Sequence, residues 1–424
     1  MKLNNRRTLF VGFAFLSISA FWQLYDNIIP LILTKTFSLG DAITGYIMAA
    51  DNILALFLLP LFGSLSDRVN TKLGKRTPFI LSGTFLAVVM MFILAIANNA
   101  KNLNLFMIAL AIALIAMGTY RSPAVALMPD VTPKPLRSKA NAIINLMGSL
   151  GGVTTLVLIM FLVNKGDHPN YLPLFATVAG IMILAVSLLV LNVKENKIKN
   201  EMEQLEINKE EQAVNTTSSN KLPADVKRSL TYILFSISLW FMGYNAVISA
   251  YSRYAANVFK MEGGGFASPL LLANITAIIA FIPIGYISSK LGRKKVILFG
   301  VSLLALCFFA LSFFRSMNFM IYIPLALVGI AWASINVNSY PMVVEMSKVG
   351  DVGKYTGIYY TFSMSAQILT PILSGYLLQY VGYWTLFPYA TLCVILAFVT
   401  MMQVKHGDNK PELVKGLKAY DIED

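Results

Sequence analysis

The sequence predicts an all-α membrane protein whose twelve transmembrane helices form two pseudo-symmetric six-helix bundles. The composition, the length of the apolar runs and an internal repeat together support this prediction. Of the 424 residues, 57% are apolar and only 13% are charged, whereas soluble domains carry about 25% charged residues. The apolar residues occur in runs of about 18 to 25, long enough to cross about 30 Å of hydrocarbon as a helix. This composition excludes a soluble enzyme.

The apolar runs are separated by polar breaks and define the domain organisation. The predicted spans are residues 8–34, 42–64, 78–98, 104–128, 138–163, 171–193, 228–252, 268–289, 295–314, 318–344, 353–380 and 383–403. The segment between the sixth and seventh spans is polar, highly charged and free of aromatic residues, which is typical of a linker. We therefore predict an N-terminal bundle at 1–193, a linker at 194–227, a C-terminal bundle at 228–404 and a tail at 405–424.

The basic residues predict the orientation of the chain. Most of the 34 Lys and Arg residues lie at the termini, in the linker and in alternate loops. The other loops hold only Lys35, Lys101, Lys165, Lys260 and Arg315. By the positive-inside rule, both termini and the linker are cytoplasmic. The net charge of +13 is then explained by topology, so it does not indicate a nucleic-acid partner. We predict a multi-pass protein that lies as a monomer in the lipid bilayer of the plasma membrane.

The cysteine and histidine content gives no sign of a metal or cofactor. Cys307 and Cys393 lie in different apolar runs, and His168 and His406 lie in a loop and in the tail. We predict neither a disulfide nor a metal site, and no cofactor. No small-residue cleavage site follows the first apolar run, so we expect that run to be retained as a span.

Two loops and two pairs of span ends repeat along the chain. GSLSDRVNTKLGKRTPFIL (63–81) follows span 2, and GYISSKLGRKKVILFG (285–300) follows span 8. Similarities at the ends of spans 4 and 10, around Pro123 and Pro341, and at the starts of spans 5 and 11 follow in the same order at nearly the same offset. Convergent loop chemistry could explain any one match. The set favours two parallel six-span halves, which place a substrate site near the midplane between them.

The loop after span 2 resembles the signature loop of the major facilitator superfamily. Its Gly63, Asp67 and Arg68 are followed by the basic pair Lys75 and Arg76. The stretches SDRVNTKLGKRTPFI (66–80) and PAVALMPD (123–130) further resemble the sucrose transporters of plants and animals and their bacterial relatives, in the glycoside-pentoside-hexuronide group. This resemblance implies a disaccharide or glycoside carrier that is coupled to a cation and works by alternating access. Plant sucrose carriers have an acid within span 4, but residues 104–129 contain none, which leaves the position of the coupling group open.

Two acidic residues, Asp26 and Asp51, are predicted at the same membrane depth on consecutive spans. A charge at bilayer depth costs about 2.5 to 3.5 kcal/mol on insertion scales, so each should face a partner or a watery cavity. If they share a cavity, repulsion and burial favour protonation of at least one, which is the chemistry of a proton symporter. A similarity to melibiose-type carriers assigns Asp26 to sugar hydroxyls, leaving Asp51 as the proton candidate. Alternatively, both only hydrogen-bond Asn52, Asn27 or the backbone and lock spans 1 and 2 together.

Two arginines also lie in or near spans. Arg121 on span 4 is either a counter-ion that is released and recaptured during proton coupling, or a permanent partner of Asp130 or Glu345. Arg253, near the end of span 7, is expected to extend to the outer interface.

Polar and aromatic side chains within the spans are candidate substrate ligands. An aromatic ring and hydrogen-bonding groups together are typical of a site that binds a sugar. Asn and Gln also join helices to one another, so packing is the alternative for each. The candidates beside Asp26 are Trp22, Gln23 and Asn27, and those on later spans are Asn141, Asn145, Tyr244, Asn245, Trp332, Asn336 and Gln367.

The signature loop is predicted to act as a conformational latch formed by Gly63, Asp67, Arg68 and Arg76. Asp67 is expected to accept hydrogen bonds from backbone N–H groups near Gly353, while the two arginines hold acids of neighbouring loops. Such contacts would exist in one state only and set its population. Ser289 stands where the second repeat would have its aspartate, so the latch is expected to be weaker there.

These observations predict a carrier that imports a di- or oligosaccharide, an α-glucoside such as maltose or sucrose, together with H⁺ or, as an alternative, Na⁺. An exporter of drugs or small metabolites with the same fold is the other candidate. A membrane-embedded enzyme would need an acidic metal motif or a nucleophile with a base, and the sequence has neither.

Overall fold

The computed structural model describes residues 4–133, 136–166, 168–198, 223–346 and 352–408. This part of the chain contains twelve α-helices of 17 residues or more. They are α1 (Asn5–Leu31), α2 (Asp41–Arg68), α3 (Thr77–Asn99), α4 (Leu103–Asp130), α5 (Arg137–Leu162), α6 (Leu172–Asn192), α7 (Ala224–Asn257), α8 (Ala267–Leu291), α9 (Arg293–Leu311), α10 (Tyr322–Glu345), α11 (Val352–Tyr376) and α12 (Leu386–Met402). The all-α prediction is confirmed.

Eleven of these helices are long and apolar enough to cross a membrane. The remaining helix, α11, has 25 residues, which correspond to about 37 Å of helix. Its many Tyr, Thr and Ser side chains lower its hydropathy. Some helices extend beyond their apolar runs, most clearly α7, which covers 34 residues, because polar residues at a span end continue the backbone hydrogen-bond ladder outside the hydrocarbon. Others, such as α6 and α12, lie within the predicted runs.

The described residues pack into two compact units. One consists of residues within Met1–Tyr25, Lys35–Phe37 and Ile53–Thr216, and the other of residues within Asp26–Thr34, Ser38–Asn52 and Thr217–Asp424. The predicted bundle boundaries stay a prediction. By packing, however, the last turns of α1 and the first turns of α2 group with the second unit.

Hydrogen bonds to backbone carbonyls hold the first unit together. The Tyr120 hydroxyl on α4 donates to the Ala14 carbonyl of α1 at 3.0 Å, and the Ser122 hydroxyl donates to the Leu59 carbonyl of α2 at 2.7 Å. In the second unit, the hydroxyls of Ser236 and Thr400 lie 2.7 Å apart and link α7 to α12. Side chains that would be unsatisfied in lipid therefore find partners between helices.

Candidate functional site

Asp26 and Asp51 lie in the second unit, on the last turns of α1 and the first turns of α2. Both side chains are half-buried, and the negative charge of Asp51 acts on Asp26. Asn52 donates from its amide to Asp51 Oδ1 at 2.8 Å. The two carboxyl groups thus lie within electrostatic range of each other. The hydrogen bond from Asn52 to Asp51 is one of the contacts expected if the acids only lock spans 1 and 2 together.

The residues around Asp26 differ in their exposure. Trp22 is half-buried, contacts Phe21 and Tyr25 edge-on, and its indole N–H has no acceptor among the described residues. Gln23 is also half-buried. Asn27, in contrast, is 0% exposed, because one residue along a helix turns the side chain by about 100° away from its neighbour. Asn27 therefore does not line an accessible surface in this conformation.

Tyr244 on α7 and Trp332 on α10 form an aromatic platform. Their rings stack with centroids 3.6 Å apart and an interplanar angle of 2°, and Phe241 meets Trp332 edge-on at 5.3 Å. Both stacked residues are half-buried. The sequence identified Tyr244 and Trp332 as separate candidates, and only the fold brings them together.

Amide side chains lie close in sequence to this platform. Asn245 and Asn336 are half-buried, and Asn245 Nδ2 has no acceptor among the described residues. Gln367 on α11 donates a long hydrogen bond, 3.4 Å, to the Ser363 carbonyl. Such groups can exchange partners with a polar ligand at small cost. On α5, Asn141 is buried and Asn145 half-buried, and both take part in other contacts.

Arg121 is half-buried on α4. The two acids that we expected as permanent partners bind other arginines: Asp130 pairs with Arg76 at 2.9 Å, and Glu345 pairs with Arg293.

The prediction that Arg253 reaches the interface is wrong. Its side chain is 0% exposed, and its Nη1 donates to Asp41 Oδ1 at 2.6 Å. The two residues are 212 positions apart in the chain, so no local pattern linked them.

Arg76 is the centre of a charge cluster in the first unit. Its guanidinium donates to Asp130 at 2.9 Å, to Asp67 at 2.5 Å, to the Ser66 hydroxyl and to the Gly63 carbonyl at 3.3 Å. Asp67 was expected to bind backbone N–H groups near Gly353, whereas its partner in this structure is Arg76. Arg68 is exposed.

Glu195 was not identified from the sequence, because it lies in the segment assigned to the linker. It is 3% exposed and accepts from the backbone N–H groups of Lys75, Arg76 and Thr77 at 2.7 to 3.1 Å. A carboxylate there satisfies the free N–H groups at the start of α3 and complements the helix dipole. An acid directly after a span end was the available signal.

The second unit repeats this arrangement. Asp408 Oδ1 accepts from the Lys294 backbone N–H at 2.7 Å at the start of α9, as Glu195 does at α3. Arg293 and Glu345 also form an ion pair. They occupy the positions in the second repeat that Arg76 and Asp130 occupy in the first. Ser289, which stands in place of the aspartate, donates to the Tyr286 carbonyl instead. The weaker latch predicted on this side stays a prediction.

The long apolar helices, the repeated end contacts and the half-buried charges within them define a polytopic protein of the transporter type. The chain belongs to the Major Facilitator Superfamily, whose family model matches residues 11–282 and 265–418. It is therefore a secondary transporter of a small molecule and not an enzyme. The structure is similar to that of the nucleoside transporter NupG, with a TM-score of 0.70 and 13% identity over 94% of this chain and 100% of that one. This likeness confirms the predicted fold of twelve helices in two pseudo-symmetric bundles.

Two relatives resemble shorter parts of the chain. The chloramphenicol resistance protein CraA of Acinetobacter baumannii is 31% identical over 116 residues, which are 27% of this chain and 28% of CraA. The sucrose transport protein SUC3 of Arabidopsis thaliana is 25% identical over 151 residues, 31% of this chain and 25% of SUC3. Since each match spans only about a quarter of the relative's length, neither relative defines the substrate.

Proposed function

We propose that this transporter imports a di- or oligosaccharide, an α-glucoside such as maltose or sucrose, together with protons by alternating access. The proposal includes a monomer in the plasma membrane with both termini in the cytoplasm. The observation that carries it is the pair of half-buried carboxyl groups, Asp26 and Asp51, acting on each other within the spans.

The carboxyl pair supports proton coupling. Two negative charges at membrane depth raise each other's energy, so the pair favours a state in which one proton is held. Asp51 holds the coupling proton, and Asp26 accepts hydrogen bonds from the sugar. Binding of sugar to Asp26 changes the field at Asp51, which links the two events. Na⁺ could replace the proton, because carboxylate oxygens also bind hard cations.

The aromatic platform supports a sugar as the substrate. The C–H face of a pyranose ring packs against an aromatic ring, while its hydroxyls bind amide and carboxylate groups. Tyr244 and Trp332 cover each other's facing side, so the side of each ring that points away from the stack is the one proposed to pack against the sugar. Asn245 offers an amide whose Nδ2 lacks an acceptor among the described residues. The partial match to SUC3 points the same way.

Export of a drug or small metabolite is the second candidate. The partial match to CraA favours it, and an aromatic platform would also accept a planar apolar molecule.

A panel of radiolabelled solutes in proteoliposomes separates the two candidates. We expect uptake of one disaccharide above the others, driven by an inward proton gradient and unaffected by a Na⁺ gradient. The proposal would be overturned if no labelled sugar is taken up and neither the proton gradient nor the Na⁺ gradient changes uptake. Expulsion of chloramphenicol by the same vesicles would establish the second candidate.

Replacing Asp26 by Asn tests its assignment to the sugar. Loss of a charged acceptor is expected to weaken equilibrium sugar binding by about tenfold or more, since hydrogen bonds to charged groups contribute about 1.5 to 3 kcal/mol. The measurement is calorimetric titration of purified protein at one fixed pH. Asp51→Asn is the matched control, because it removes the neighbouring charge and should retain binding. Equal affinity of Asp26→Asn and the parent would refute the role.

A further inference from the structure

We propose that the gate segment, residues 38–52, forms a gate that is closed in this structure by the buried ion pair of Asp41 with Arg253. The gate lies at the ends of α2 and α7, and at the turn before α12, which the basic-residue pattern predicts to be outside. The proposal goes beyond the transported solute and holds whichever solute is carried.

Asp41 ties the first turn of α2 to α7 and to the short turn that precedes α12. Arg253 Nη1 donates to Asp41 Oδ1 at 2.6 Å, and the Tyr383 hydroxyl donates to Asp41 Oδ2 at 2.6 Å. The side chains of Arg253 and Asp41 are 0% and 11% exposed. Because the pair is removed from water, each charge depends on the other, and separation requires that both be hydrated.

The same turn is also held through its backbone. Gln379, in the turn after α11, accepts with Oε1 from the Ala42 backbone N–H at 2.9 Å. The first N–H groups of a helix have no partner within that helix. Closure therefore satisfies a donor that would otherwise need water.

Glycines on both sides let the backbones meet. A Cβ atom on Gly45 would lie 2.1 Å from the Pro371 carbonyl oxygen, and one on Gly375 would lie 2.5 Å from the Asp41 carbonyl oxygen. No side chain fits at these distances without displacing backbone. The hydroxyls of Tyr46 and Tyr376 meet at 3.3 Å further along. The gate segment is thus closely fitted to α11.

Some donors at the closed contact have no acceptor among the described residues. Arg253 Nε and Nη2 and the Thr44 hydroxyl are buried without a hydrogen-bond partner among the described residues. Buried donors in permanent structure are almost always paired, and each unpaired one lowers the net stabilisation of the closed state. Water that reaches these donors when the segment moves away would offset part of the cost of separating Asp41 from Arg253.

The rest of α2 belongs to the other unit. Residues 38–52 pack with the second unit, and residue 53 onward packs with the first. Alternating access requires each membrane face to open in turn. In the proposed gate, release of the Asp41–Arg253 contact frees residues 38–52 from α7 and α11 within the second unit.

Accessibility of Thr44 tests the gate without any transported solute. Thr44 is 0% exposed, so Thr44→Cys serves as a reporter in a chain that also carries Cys307→Ala and Cys393→Ala. A membrane-impermeant maleimide is added to intact cells, and the rate of modification is measured. We expect Asp41→Asn and Arg253→Gln each to raise the rate by about tenfold or more, because each leaves a buried charge or donor set unpaired.

A double variant and a distant control make the result specific. Asp41→Asn with Arg253→Gln contains no unpaired charge and should react more slowly than either single variant. Asp225→Asn removes the partner of His406, 3.3 Å away, at the other end of α7, and should leave the rate unchanged. If Arg253→Gln does not reach the membrane, Asp41→Asn and Tyr383→Phe carry the same comparison.

Two results would overturn the gate. One is a parental rate in Asp41→Asn and Tyr383→Phe. The other is an equal increase in Asp225→Asn, which would indicate general loosening. Neither result depends on sugar or protons, so failure of the gate and failure of the proposed function are distinguishable.

Discussion

Replacement of Asp51 by Asn is expected to abolish accumulation of substrate against its gradient while leaving exchange of substrate across the membrane measurable. Asn has nearly the shape of Asp and retains a hydrogen bond to Asn52, which donates to Asp51 Oδ1 at 2.8 Å in the parent. It cannot take up or release a proton. The transporter would then cycle with substrate but without the proton that drives accumulation in the proposed mechanism.

The two activities are measured on one preparation. Proteoliposomes with an imposed proton gradient report accumulation, and preloaded vesicles without a gradient report exchange. A gradient of one pH unit is equivalent to about 1.4 kcal/mol for one coupled proton, or tenfold accumulation. The expected ratio of internal to external substrate is therefore about 10 in the parent and falls to about 1 in Asp51→Asn. Accumulation at the parental ratio would remove Asp51 as the coupling residue, and loss of exchange as well would indicate a structural role.

The helices could be predicted because one physical requirement dominates them. A chain in hydrocarbon must satisfy its backbone internally, so each apolar run of sufficient length becomes a helix. The ends of α7 could not be placed from the runs, since residues such as Asp225 and Arg253 extend the helix under tertiary contacts that hydropathy does not report. The repeat was visible in loop motifs because the same cluster of charges is built at the start of both α3 and α9.

The contacts of the candidate sites were less predictable. The sequence indicated Asp26 and Asp51 as a pair because the rise of a helix fixes the depth of each residue in the membrane. The rise does not tell in which direction around the helix axis a side chain points, and Asn27 is therefore buried although it is next to Asp26 in the sequence. Arg253 was misplaced because its partner is on a distant helix, and an isolated arginine near a span end normally extends to the interface. The stacking of Tyr244 on Trp332 depends on how α7 and α10 pack, which their separate patterns do not contain.

Replacing Arg76 by Ala is expected to lower the stability of the transporter. Its guanidinium is 7% exposed and bonds two carboxylates, a hydroxyl and a carbonyl, so its removal leaves several acceptors and two like charges without compensation. Because the side chains of Asp67 and Asp130 are 58% and 35% exposed, water would screen part of the loss. We expect a decrease in the free energy of unfolding of about 2 to 3 kcal/mol.

The geometry of the cluster makes a second substitution informative. Arg76→Lys retains the charge but cannot bond two carboxylates and a carbonyl in one plane, so it should recover less than half of the lost stability. Arg68→Ala is the matched control: it removes a neighbouring, exposed arginine and should change stability by less than about 0.5 kcal/mol. Thermal denaturation of the detergent-solubilised variants measures all three. If Arg76→Ala and Arg68→Ala melt at the same temperature, the cluster reflects only the positive charge of a loop that is predicted to be cytoplasmic, and no structural latch is centred on Arg76.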